Sequence, residues 1–255
     1  RRSSDLVYEA RSSMKRDPNC ENNVIINYSA DKCAPVTSLQ RLELFEDICQ
    51  VSPADELTYL LWLRSPNAGT WLQKMRGFTI STGLMSIVGY MIGLGDRHPS
   101  NIMIQRDTGW VIHIDFGDSF EKAVLRQNYP EKVPFRLTRM LVNGFDGRTV
   151  EGLFRMICEN VMQIMRDKRS SLMAQLEIFV HEPIGEIDEL SDHNEAEKSM
   201  ILDRINQKFS GRDTLYLGEL DMPEDTVEAQ VDSLIRIATD PSRYMTHFFG
   251  WLPFW

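Results

Sequence analysis

Residues 93–117 read GLGDRHPSNIMIQRDTGWVIHIDFG, which contains two short apolar runs separated by the turn-forming triplet DTG. One run extends from Asn101 to Gln105 and the other from Trp110 to Ile114. Apolar runs joined by such a turn predict a β-hairpin. Because a hairpin brings its outer ends side by side, we expect Asn101 and Asp115 to lie next to each other.

The side chains at these two ends carry oxygen atoms that suit a magnesium ion. Mg²⁺ prefers oxygen ligands in octahedral geometry and is bound by few protein groups together with substrate phosphates. One amide oxygen and one carboxylate satisfy that preference. We therefore predict Asn101 and Asp115 as metal ligands.

Asp96 and His98 are the candidates for handling a proton. Asp96 precedes Asn101 with four residues between them, and it could accept or align the proton of a reacting hydroxyl. His98 could hydrogen-bond a transferred phosphoryl group or take the proton itself. The sequence leaves the base role open between the two residues.

Each motif is weak in isolation, since Asp-x4-Asn and Asp-Phe-Gly both occur by chance in surface loops. Here they stand in a fixed order, with an apolar hairpin between them and a long apolar segment before them. Motifs count when their predicted structural context agrees. The combination therefore predicts phosphoryl transfer, which depends mainly on positioning and electrostatic stabilisation.

Composition sets limits on the class of protein. The chain has 255 residues, of which 42% are hydrophobic and 25% charged, which allows a substantial core. The net charge of -9 argues against a nucleic-acid-binding surface. The four cysteines form no CxxC pair, and no apolar run reaches membrane-spanning length, so we expect a cytoplasmic protein.

Apolar residues at helical spacing predict a mainly α-helical chain. The expected helices begin at Ser38 and at Pro53 and then cover residues 78–94, 137–143, 149–165, 170–181, 195–209 and 225–238. The chain ends in FFGWLPFW, residues 248–255, whose aromatic rings we expect to dock on the core. A tail that contacts a membrane is the alternative.

No glycine-rich phosphate loop and no VAIK strand occur in the chain. We therefore expect a fragment that lacks the smaller lobe of a kinase and is inactive on its own.

Five segments resemble the phosphatidylinositol-kinase-related protein kinases, and among them the target-of-rapamycin (TOR) group. They are LWLRSP at 61–66, the stretch from Gly89-Tyr90 through GLGDRHPSN at 89–101, HIDFGD at 113–118, PEKVPFRLTRML at 130–141 and GW-x-PFW at 250–255. The resemblance implies a mainly α fold with small β-hairpins, the C-terminal lobe of a protein- and lipid-kinase-like fold, followed by a helical FATC segment.

The resemblance also implies a division of the chain. It comprises a partner-docking insertion (1–37), the C-terminal kinase lobe (38–183), a connector and helix (184–221), and FATC (222–255). Within the lobe, residues 93–101 correspond to the catalytic loop and 115–135 to the DFG motif and activation loop.

The family roles fall on matching positions of this sequence. They imply ATP and Mg²⁺ as cofactors, Asp96 and His98 as catalytic residues, and Asn101 and Asp115 as metal ligands. Met103 and Ile114 would line the adenine pocket, which requires a flat apolar slot. The activation loop contributes Gly117, Lys122, Arg126, Lys132 and Pro134.

The resemblance further implies partners and a location. A WD-repeat β-propeller subunit of the Lst8 type would dock on residues 1–37, and Raptor-like or Rictor-like scaffolds would bind the full-length protein. Its substrates would be proteins, and it would act in the cytoplasm, with lysosomal or vacuolar surfaces as a second site.

Three functions compete. The first is a serine/threonine protein kinase, the second a phosphoinositide lipid kinase and the third a non-catalytic pseudokinase scaffold. Residues 118–134 hold three basic and three acidic side chains, whereas an anionic lipid headgroup would require a basic surplus. Because Asp96, Asn101 and Asp115 are all present, the scaffold is ranked last.

Overall fold

The computed structural model describes residues 38–181, 195–213, 215–216 and 226–254. The predicted partner-docking segment 1–37 lies outside the described residues, as do parts of the connector. The helices are α1 (Ser38–Val51), α2 (Glu56–Leu63), α3 (Ala68–Met91), α4 (Lys122–Leu125), α5 (Arg139–Asn143), α6 (Leu153–Asp167), α7 (Arg169–His181), α8 (Glu195–Phe209), α9 (Val227–Ala238) and α10 (Pro241–Tyr244). Short 3₁₀ turns cover Pro99–Asn101 and Phe249–Trp251.

The central helix α3 begins earlier than the sequence predicts. Apolar spacing places its start at Phe78, but it begins at Ala68, where the Asn67 side chain accepts a hydrogen bond from the Thr70 N–H at 2.9 Å. This N-cap satisfies a helix donor that would otherwise have no partner. The prediction was wrong because it took the dense apolar run from Phe78 as the whole helix, although Trp71 and Met75 precede Phe78 at helical spacing.

The predicted hairpin is confirmed. Strands β1 (Ile102–Ile104) and β2 (Val111–His113) pair antiparallel, with Met103 opposite Ile112. At the turn, Gly109 has a positive φ of 75°, and a Cβ there would lie 2.5 Å from the Lys74 carbonyl oxygen. Only glycine therefore lets the turn pack this closely against α3.

Helices α6 and α9 complete the core around α3. Phe78 packs on Phe145, whose ring stacks on that of Phe154 at 4.7 Å, and all three side chains are fully buried.

Helix α6 begins at Leu153 rather than at Thr149, which corrects the sequence prediction. The positive φ of 85° at Gly152 prevents the earlier start, since a helix requires negative φ.

The carboxyl-terminal tail docks on the lobe, as expected from its aromatic residues. Trp251 and Phe254 are 3% and 2% exposed, and Phe254 packs against Ile48 of α1. Phe248 differs, since 60% of it is exposed.

Within the described residues, no helix is both long enough and apolar enough to cross a bilayer. The fold is thus mainly α with one small hairpin, as predicted.

Candidate active site

The two predicted metal ligands lie at adjacent ends of the hairpin. The Ile114 N–H donates to the Asn101 carbonyl at 3.1 Å, which extends the pairing of β1 and β2 by one residue. Asp115 follows directly and is exposed, and its Oδ1 accepts a hydrogen bond from the Gly117 N–H at 3.2 Å. The backbones of Asn101 and Asp115 therefore lie at adjacent ends of the hairpin, as predicted from the sequence.

Asn101 is buried, and its amide nitrogen Nδ2 donates to the Asp96 carbonyl at 2.9 Å. The nitrogen is thereby committed to the catalytic loop. The atom of this side chain that suits a cation is the remaining oxygen, Oδ1. Asn101 thus connects the predicted metal position to the backbone of Asp96.

Asp96 and His98 lie close together at the centre of the loop. The Asp96 carboxylate and the His98 Nε2 are 4.0 Å apart, and both side chains are about one-third exposed. The His98 Nδ1 accepts a hydrogen bond from the Ser100 N–H at 3.2 Å, which orients the ring at the start of the 3₁₀ turn. Both residues are accessible to a substrate, and the division of the base role between them stays open.

Arg97 holds the loop to the hairpin, a role that the sequence analysis missed. Its guanidinium donates to the carbonyls of Gly95 and Ile114, each at 2.7 Å, and to that of Asp115. Burial lowers the pKa of Arg97, while the carboxylates of Asp115 and Asp96 act in the opposite direction. Arg97 is 3% exposed. Its place between Asp96 and His98 was the only sign of this role in the sequence.

Glu131 is the second residue that the sequence analysis missed. It lies in the activation segment, which we define as residues 115–135, and its Oε1 accepts a hydrogen bond from the Asp96 N–H at 2.8 Å. The side chain is 7% exposed, and burial raises its pKa to about 7. In the sequence, Glu131 is a charged residue in a loop flanked by prolines. Nothing there indicates a contact with Asp96, which lies 35 positions earlier.

The activation-segment residues predicted from the resemblance occupy different environments. Arg126 forms an ion pair with Asp118, and Lys122 reaches the Gly117 carbonyl at 3.3 Å. The Lys132 side chain is exposed, whereas Pro134 is buried. These residues therefore do not form one cationic cluster.

One face of the hairpin is exposed and apolar. Met103, Ile112 and Ile114 are 46%, 45% and 37% exposed, while Val111 on the opposite face is buried. Met103 and Ile114 are the residues predicted to line an adenine site. Ile112, which pairs with Met103, is an addition from the structure.

A cavity of about 230 Å³ opens beside Asp96, between the activation segment and the tail. Tyr129 and Glu131 form one wall, and Phe248 and Trp251 form another. Asp96 thus lines a space that is large enough for a side chain.

Comparisons with known proteins agree with this arrangement. A family model described as phosphatidylinositol 3- and 4-kinase matches residues 7–188, and a FATC domain model matches residues 225–255. The chain is 38% identical over 291 residues to serine/threonine-protein kinase TOR2 of Saccharomyces cerevisiae and 36% identical over 295 residues to tor1 of Schizosaccharomyces pombe. Each comparison covers 98% of this chain and 12% of the relative.

Among solved structures, the FAT and kinase domain of CtTel1 superposes with a TM-score of 0.74 at 25% identity. That superposition covers 99% of this chain and 16% of the other. The kinase family model spans more than half of the chain, and the FATC model follows it. The chain therefore belongs to the phosphatidylinositol 3- and 4-kinase family, within the FATC-containing group to which the TOR kinases belong.

Proposed function

We propose that this chain is the catalytic lobe of a TOR-like serine/threonine protein kinase, which transfers the γ-phosphoryl group of ATP to hydroxyl groups of proteins. The observation that carries the proposal is the pair of hydrogen bonds that join Asn101 to Asp96 and to Ile114, the residue before Asp115. Asn101 donates to the Asp96 carbonyl and accepts from Ile114. In this proposal, Asp96 handles the proton, and Asn101 and Asp115 supply the two oxygen ligands.

The residues present fit a magnesium-bound nucleotide. The amide nitrogen of Asn101 is already used, so this side chain offers its oxygen, and Asp115 offers an exposed carboxylate. These are hard oxygen ligands of the type that Mg²⁺ binds alongside phosphates. When bound, magnesium would neutralise charge on the transferred phosphoryl group.

The chain's own side chains supply the remaining functions. Asp96 aligns the acceptor hydroxyl or takes its proton, and His98 lies within 4.0 Å to assist it. Arg97 maintains the spacing between the loop and Asp115 through its three backbone carbonyls. The exposed apolar face of Met103, Ile112 and Ile114 suits a flat adenine ring.

The activation segment supports a protein substrate over a lipid headgroup. Arg126 is paired with Asp118, so its charge is compensated within the segment. An inositol phosphate would require uncompensated basic groups that recognise its phosphates. A protein Ser/Thr hydroxyl requires no such cluster and could approach Asp96 through the adjacent cavity.

The test uses the full-length protein that contains this chain. We expect Asp115→Ala to reduce kcat by at least about 10²-fold and to weaken Mg-ATP binding, because a site of two protein ligands loses its carboxylate. Asp107→Ala, in the exposed turn of the same hairpin, is the matched control and should retain activity. The assay offers a Ser/Thr peptide and phosphatidylinositol vesicles side by side.

Normal peptide phosphorylation by the Asp115→Ala protein would refute the assignment of Asp115. Phosphorylation of the lipid instead of the peptide by the wild-type protein would favour the second function.

We further propose, from the likeness to TOR kinases, that the protein acts in the cytoplasm within larger complexes. An Lst8-type β-propeller on residues 1–37 and Raptor-like or Rictor-like scaffolds elsewhere are the partners that this likeness suggests. Residues 1–37 lie outside the described part of the chain. Deleting them from the full-length protein and measuring co-purification of the β-propeller subunit tests the first of these contacts.

A further inference from the structure

The backbone of Asp96 adopts an unfavourable conformation. Its φ is +55°, in the left-handed region that non-glycine residues seldom occupy. Such a conformation persists only where the surrounding structure holds it in place. Neighbouring groups must therefore hold the backbone of Asp96 in this conformation.

Two side chains bind the backbone of this residue, one on each side. The Asn101 amide donates to the Asp96 carbonyl at 2.9 Å, and the Glu131 Oε1 accepts from the Asp96 N–H at 2.8 Å. Asn101 comes from the same loop. Glu131 comes from the end of the activation segment, so it is the contact that joins the two segments at this point.

Glu131 is itself firmly held. Its own N–H donates to the Ala123 carbonyl at 3.1 Å, and Val133, two residues further on, packs against the buried rings of Tyr244 and Trp251. Gly95, which precedes Asp96, has no room for a side chain, since a Cβ would lie 2.2 Å from that of Ala123. The segment therefore presents the Glu131 oxygen to the loop at a defined place.

We propose that Glu131 is the positioning residue for Asp96, whose N–H it binds and whose left-handed backbone, and thus carboxylate direction, it maintains. The inference rests on the proposed kinase function. It makes Glu131 neither a metal ligand nor the base. Its contribution acts entirely through the placement of Asp96.

The surroundings of Glu131 indicate that the accepting oxygen, rather than the charge, matters. Burial disfavours a charged carboxylate at Glu131, as do the nearby Asp96 and Asp118, whereas the bond from the Asp96 N–H and the Arg126 charge favour it. A carboxyl group offers an acceptor oxygen in either protonation state. A neutral side chain of the same length that keeps this oxygen should therefore replace it.

The experiment compares Glu131→Gln with Glu131→Met in the full-length kinase. Both substitutions remove the charge and retain the length, and only glutamine keeps an acceptor for the Asp96 N–H. We expect kcat for a Ser/Thr peptide to fall by about 10- to 100-fold in Glu131→Met, because small displacements of a catalytic group have effects of this size. Glu131→Gln should stay within about threefold of the wild type, and the KM for ATP should change little in either.

Glu151→Met, at an exposed glutamate before α6, serves as the control and should leave kcat unchanged. Equal losses of kcat in the glutamine and methionine proteins would overturn the proposal. So would a raised KM for the peptide at unchanged kcat, which would make Glu131 a substrate-binding residue of the cavity. If the wild-type protein phosphorylates no peptide, the proposed function fails together with this inference.

Discussion

At the scale of single residues, the site depends on buried polar groups that bind backbone atoms. Arg97, Asn101 and Glu131 each direct their side chains at carbonyl or amide groups of the catalytic loop and hairpin. Buried polar groups without such partners would be costly, so these bonds keep the loop in one arrangement. The partly exposed Asp96 and the exposed Asp115 are held through their backbones.

The buried carboxyl of Glu131 predicts a particular pH dependence of stability. Burial raises its pKa from 4.5 to about 7, so the folded protein binds this proton more tightly than the unfolded chain does. The contribution of Glu131 to the free energy of unfolding is therefore full below about pH 4.5. It is lost as the pH rises through about 7. The loss is about 3 kcal/mol at most, given 1.36 kcal/mol per pKa unit.

Thermal unfolding of the wild-type and Glu131→Gln proteins between pH 5 and pH 8 tests this expectation. Burial lowers the pKa of His113 and His247 to about 4, and these residues act with the opposite sign. The difference between the two proteins isolates Glu131, and it should grow in favour of glutamine as the pH rises. A difference that is constant with pH would contradict the argument.

At the scale of elements, the tail and the segment after the activation loop are bound to each other. The Arg136 guanidinium lies 4.4 Å from the centre of the Trp251 ring and donates to the Trp251 carbonyl at 2.6 Å and to that of Leu252 at 2.8 Å. Arg139 donates to the Phe254 carbonyl at 3.1 Å. The two arginines of the PFRLTR motif thus supply donors to buried and partly buried carbonyls of the tail.

Two aromatic residues of the tail should differ in their effect on stability. Trp251→Ala is expected to destabilise the lobe by about 3–5 kcal/mol, the usual cost of removing a buried large aromatic side chain. Phe248→Ala, at an exposed ring three residues earlier, should cost less than about 1 kcal/mol. Chemical denaturation of both proteins makes the comparison. Equal effects would show that docking of Trp251 does not stabilise the lobe.

At the scale of the whole molecule, helix α8 connects the end of α3 to the activation segment. Lys208 is 1% exposed, and its Nζ lies 2.6 Å from the Glu121 carboxylate and donates to the Tyr90 carbonyl at 2.8 Å. Arg204 reaches the other Glu121 oxygen at 3.2 Å. The start of the activation segment is thus tied to a helix that follows it by some eighty residues.

Removing one member of this buried pair should be more damaging than removing both. Lys208→Met is expected to destabilise the protein by about 3–5 kcal/mol, because it leaves the Glu121 charge buried with less compensation. Adding Glu121→Gln to that protein should recover a large part of the loss. Unfolding free energies of the two single variants and the double variant measure the coupling. An additive result would show that the pair is not coupled.

The hairpin and its oxygen-bearing ends could be predicted from the sequence because they depend on local order. A turn triplet between two apolar runs is sufficient to bring Asn101 next to Ile114, and Asp115 follows. The terminal aromatic cluster was likewise sufficient to predict docking. Helix starts were less predictable, since the apolar residues early in α3 are sparser than in its second half and the helix begins at the Asn67 cap.

Three features could be inferred from the chain alone. The family follows from the resemblance of short motifs, the mainly helical fold from apolar spacing, and the order of the predicted site residues from their positions around one hairpin. Only the tertiary structure decided which groups hold Asp96 in its left-handed conformation. Glu131 reaches it from 35 positions away, and Arg136 meets the tail from 115 positions away. Partners of buried polar atoms are chosen by packing between distant segments, and no local pattern of residues records that choice.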